Sequence, residues 1–189
     1  AQERRQLGTR RRLDGITGDL RTRVIAVVRE EQLVSQELAQ PGALAPDGLL
    51  DEIAGLVDEV LASARQASQI ELYLQTVDVD DLRRRSAEYS RMAEASDKAK
   101  STASALAEQL QVIEHLKERR DASDLEIDDV QAGLGALRAQ LVRARATAVL
   151  PTGVTETVDG LRTRMRVLSD SLAEAYGEHG ETPAEGKGA

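Results

Sequence analysis

The sequence contains no cysteine, phenylalanine, tryptophan or asparagine among its 189 residues, and three tyrosines are its whole aromatic content. Without cysteine there can be no disulfide, no thiolate nucleophile and no zinc–thiolate site, and the compartment stays open, because such a chain suits either the cytosol or an export route. An aromatic share of 2% disfavours strands and thick globular cores, which draw on aromatic and β-branched side chains. Long hydrophobic runs are also missing. The longest, Val24 to Val28, is far below the roughly 20 residues that a membrane-spanning helix needs, and the N-terminus has no signal-peptide core.

What is present favours helix. Ala, Leu, Arg, Glu and Gln dominate, all of them strong helix formers, and 31% of the residues are charged. The net charge of −8 argues against general nucleic-acid binding, although the stretch RRQLGTRRRLDG is locally basic. The scarcity of aromatics also removes the stacking platform that single-stranded nucleic acid uses.

Apolar residues recur with a helical period in five segments, which predicts helices at about 13–39, 47–77, 81–120, 124–148 and 152–176. In the first, Leu13, Leu20, Val27 and Val34 are seven apart, and the segment stops at AQPGALAPDG, whose prolines and glycines break helices. Gly15 and Gly18 weaken its start. The second carries Leu50, Ile53, Val57, Val60, Ala64, Ala67 and Leu74 on one face. Asp78, Asp80 and Asp81 then suit a helix N-terminus, and the apolar phase slips there. The third has Leu82, Tyr89, Met92, Leu106, Ile113 and Leu116; the fourth has Ile127, Val130, Leu134, Leu137 and Leu141; the fifth has Val154, Val158, Leu161, Met165, Leu168, Leu172 and Ala175. Residues 177–189 form a polar tail whose composition predicts disorder.

Between the third and fourth segments, Ser123-Asp124-Leu125-Glu126 has the form of a capping box. Lys117, Arg119 and Arg120 precede it and Asp124, Glu126 and Asp128 follow, which is the charge order that two helix dipoles meeting at a corner would favour. Folding the helices back at this corner pairs Leu116 with Ile127, Ile113 with Val130, Leu106 with Leu137 and Ala103 with Leu141. Folding at Pro151 pairs Leu141 with Leu161 and Leu134 with Leu168. The expected architecture is therefore all-α: one domain over 1–176, an elongated antiparallel bundle or set of coiled-coil hairpins of about five helices.

Catalytic chemistry finds little footing. His115 stands beside Glu114 with no Glu three residues before it, so it lacks the helical di-metal spacing and reads as solvent-facing. Gly133-Leu134-Gly135 is a lone G-x-G inside a helical pattern with Arg138 in place of a third glycine, better suited to thinning a helix for a neighbour than to cradling phosphate. Asp78, Asp80 and Asp81 do not continue as a calcium loop, because Leu82 occupies the next ligand position. No catalytic residue, metal ligand or cofactor is assigned, and the chain is not expected to be an enzyme. Arg162, Arg164 and Arg166 read as a solvated helix face or, more sharply, a docking patch.

The expected function is a non-catalytic helical scaffold, oligomerisation or protein-interaction module, in the cytoplasm, that binds a protein partner or a second copy of itself. Arg83, Arg84, Arg85, Tyr89 and Met92 are the expected interaction surface, an aromatic and a methionine bordered by bases. Arg10, Arg11 and Arg12 could touch an anionic membrane peripherally. The alternative, suggested by the basic N-terminus and the start at Ala1, is a soluble helical sensor or spacer domain of a membrane-anchored protein, on either side of the membrane, with its transmembrane segments outside these residues.

Overall fold

A computed structural model describes residues 13–149, 151 and 153–177, and among them the chain is all-α, with five helices and no strand. These are α1 (Gly18–Leu38), α2 (Leu49–Thr76), α3 (Val79–Met92), α4 (Asp97–Thr147) and α5 (Val154–Gly177). The basic cluster Arg10 to Arg12 and the tail beyond Gly177 lie outside the described residues. Within the span expected as one bundle, the chain packs as two compact units. Unit 1 comprises Ala1–Ser68 with Ala122–Ala189, and unit 2 is Gln69–Asp121.

The core of unit 1 follows the apolar periods of α1, α2, the later part of α4 and α5. Val24, Val27 and Val34 are buried with Ile53, Val57 and Val60, and Ile127, Val130 and Leu134 with Val158, Leu161 and Met165. The stripe of α2 is wider than the sequence pattern had marked, taking in Leu49, Leu56 and Leu61, while Leu50 is exposed.

The first helix begins later than expected. Residues 13–17 form a turn in which Gly15 (φ +82°) and Gly18 (φ +61°) adopt left-handed backbone conformations that suit glycine. Side chains hold that turn down. Leu13 and Ile16 are buried, Arg21 Nη1 donates to both their carbonyls at 3.3 Å, and Arg65 Nε donates to the Asp14 carbonyl at 3.2 Å. The Thr17 amide donates to Ser68 Oγ at 3.2 Å.

The expected corner at 121–123 does not exist: α4 runs unbroken through it. No glycine or proline stands between Glu114 and Asp128 to end a helix, and the Ser123 hydroxyl caps nothing. It is fully buried and hydrogen-bonds the Ser63 hydroxyl at 3.2 Å. The break lies instead at residues 93–96, where Ser96 Oγ accepts weakly from the Ala99 amide at 3.4 Å. The pairings drawn around the corner fail with it, since Leu116 and Ile127 are on one helix. The pairing around Pro151 is also displaced. Leu161 lies against Gly133, where a Cβ would come within 2.5 Å of Leu161 Cδ1, and Arg164 pairs with Asp129 at 2.7 Å. Apolar positions repeating every seven residues tolerate a slide of about one heptad, so the stripes alone could not exclude this alternative.

Unit 2 holds the end of α2, all of α3 and the first part of α4. Its apolar cluster is small: Leu82, Leu106 and Ile113 are buried, with Leu74, Val77, Val79, Tyr89 and Leu110 partly buried against them.

Candidate interaction surface

The residues expected to bind a partner are on α3, whose start forms as the acidic run implies. Asp78 is the N-cap, and its Oδ1 accepts from the Asp81 amide at 2.9 Å. Arg83 then pairs with Asp80 at 3.6 Å, while Arg84 and Arg85 both reach Asp81, at 3.1 and 4.0 Å. Each pair is exposed and spans three or four residues, with the acid on the N-terminal side, the favourable order on a helix. Exposed pairs of this kind contribute little to stability. They do balance the basic run locally, so the three arginines present a mixed field.

Tyr89 and Met92, three residues apart, are neighbours along α3 but differ in setting. Tyr89 is half-buried against Leu82, Leu106 and Ile113, whereas Met92 is 46% exposed. Two apolar residues of unit 2 that the sequence pattern did not single out are exposed as well. Leu72 and Tyr73 are 52% and 39% exposed near the end of α2. They fall outside the stripe through Ala67 and Leu74, and large side chains beside a stripe are the one signal that could have marked them.

The other candidate residues have the following settings. His115 is exposed and accepts from Arg119 Nε at 3.3 Å one turn along α4. Among the described residues no group of three or more His, Asp or Glu side chains is placed to hold a metal ion. Gly133 provides room for Leu161, whereas a Cβ on Gly135 would meet nothing within 4 Å. Arg162 and Arg166 both reach Glu59, at 3.0 and 3.6 Å, and Arg164 pairs with Asp129, although Arg164 and Arg166 remain exposed to solvent. The hydrogen bond that Arg162 donates to Glu59 raises its guanidinium above its already high range, and the bond that Arg23 donates to Asp128 does the same for Arg23. Both stay charged throughout the accessible pH range.

A second set of pairs has a regular step. Glu30 meets Arg138 at 3.2 Å and Glu37 meets Arg145 at 3.0 Å, seven residues further along both α1 and α4. Arg23 also pairs with Asp128. These contacts align α1 with α4. No described helix is long and apolar enough to cross a membrane. Comparison with protein-family models, curated proteins and solved structures returned no match.

Proposed function

We propose that the chain is a non-catalytic helical interaction module in which unit 1 is an antiparallel bundle and unit 2 carries the contact surface for a second copy of the chain. The bundle reading rests on the order of contacts. Gly133 and Asp129 of α4 meet Leu161 and Arg164 of α5, so advance along one helix is retreat along the other. The seven-residue step shared by Glu30–Arg138 and Glu37–Arg145 makes α1 and α4 run the same way. Thr17, just before α1, is tied to Ser68 of α2, while the other end of α1 leads through residues 39–48 into the start of α2, so these two run oppositely. Alternating helix directions support the reading of an antiparallel bundle.

One observation carries the contact surface. Tyr73 and Tyr89, the only aromatic side chains described, are both in unit 2 and outside the fully buried core, together with exposed Leu72 and Met92. Aromatic side chains gain most stability when fully buried, yet Tyr73 is exposed and Tyr89 is only partly covered. Tyr, Met and Arg are the residue types enriched where proteins meet, and Arg83 to Arg85 supply a charged rim.

Sedimentation velocity over a wide concentration range tests the proposal. The parent should associate reversibly, and Tyr89→Ala with Met92→Ala should weaken association by about tenfold or more while far-UV circular dichroism stays near the parent's. A parent that remains monomeric throughout, or association untouched by the double change, would contradict it.

A further inference from the structure

We infer that α3 is a strap that opens while the rest of the chain stays folded, uncovering an apolar seam of α4 made by Leu106, Leu110 and Ile113. The inference concerns the internal balance of unit 2 and stands whether or not that unit binds a partner.

Three observations converge on α3. It is 14 residues long and only Leu82 among them is buried, with Val79 and Tyr89 partly buried on the same cluster. An isolated helix of this length is marginal in water and depends on packing to persist. Among the described residues, its ion pairs join its own side chains, Arg83 to Asp80 and Arg84 and Arg85 to Asp81, so they travel with the helix and resist no separation. Both of its ends are breaks. Before it, the Val77 amide reaches back to Leu74 with Asp78 capping the new helix, and after it the turn at residues 93–95 leads to the Ser96 cap of α4.

The seam beneath it is built differently. Leu106 and Ile113 belong to a helix of 51 residues that continues into the well-packed core of unit 1, with Ile127, Val130 and Leu134 fully buried further along. Release of α3 has to break only the contacts of Leu82 and its two partly buried companions, whereas Leu106, Leu110 and Ile113 stay within a far longer helix. Regions with few buried apolar contacts open first.

The absence of cysteine makes a thiol reporter clean. Leu106→Cys places one thiol under α3, and Val130→Cys places one in unit 1. Labelling of each by a small thiol reagent is measured with and without Leu82→Ala. Leu82→Ala should speed labelling at position 106 by about tenfold or more and leave position 130 unchanged. Equal acceleration at both positions, or none at 106, overturns the inference. Hydrogen exchange of the unsubstituted chain provides a second reading that needs no variant to fold. Amides of 79–92 should exchange faster than those of 106–116, and equal or slower exchange of α3 overturns it too.

Discussion

Gly133 and Gly135 stand two residues apart on α4, and the same substitution at each should change stability in opposite directions. At Gly135 a Cβ meets nothing within 4 Å, so alanine should give the full helix-propensity gain of about 1 kcal/mol. At Gly133 the propensity gain is the same, but the Cβ would come within 2.5 Å of Leu161 Cδ1, 3.2 Å of Cδ2 and 3.4 Å of Cγ. Carbon atoms prefer roughly 3.5–4.0 Å. The Leu161 side chain must therefore shift. At 3% exposure it has little space to enter. Overpacking of this kind costs about 1–3 kcal/mol, enough to offset the gain and leave a net loss of about 1 kcal/mol. The two variants should thus differ by about 2 kcal/mol in denaturant unfolding, with Gly135→Ala the more stable. Placing both in a Leu161→Ala background should abolish the difference, since the obstructing atoms are gone. Equal stabilisation by both alanines in the parent would refute the reasoning. It would mean that Leu161 sits elsewhere along α4, as in the register that pairs it with Leu141.

Two further expectations concern single sites. Ala148 ends α4 with φ +54°, and the Val149 amide donates to the Ala144 carbonyl at 3.3 Å in the manner of a Schellman cap, so Ala148→Gly should stabilise unit 1 by about 1 kcal/mol in thermal or denaturant unfolding. A loss would show that the left-handed conformation is not the dominant one. The buried Ser63–Ser123 pair should behave non-additively: either serine changed to alanine strands a hydroxyl at a cost of about 1–2 kcal/mol, whereas the double change should be close to neutral. Additive losses in a double-mutant cycle would argue against the pairing.

Much of the buried face could be read from the sequence because apolar spacing reports it: Leu13, Leu20, Val27 and Val34 are in the core, although Leu50 and Met92, marked on the same ground, are exposed. The break before α3 was legible too, since consecutive aspartates mark a helix start and the apolar phase slips there. The break at 93–96 was hidden in Ala93-Glu94-Ala95-Ser96, which contains no glycine or proline and would sit equally well inside a helix. The opposite error arose at Ser123. A Ser followed three residues later by Glu looks the same at a cap and in a helix interior, and the deciding partner, Ser63, is 60 residues away in the chain. Of the expected contact residues, Arg83, Arg84 and Arg85 are exposed on α3 and paired with aspartates one turn earlier. Tyr73 and Leu72 escaped notice because exposure outside a stripe leaves no periodic trace.

Hydrogen exchange measured at low and high protein concentration tests most directly whether unit 2 makes the contacts. Under the conditions where sedimentation shows association, protection should rise in peptides covering Leu72 and Tyr73 and in those covering α3, and stay unchanged across α1, α5 and the later part of α4. A rise confined to unit 1, or no change anywhere while the mass increases, would contradict a module that associates through its smaller unit.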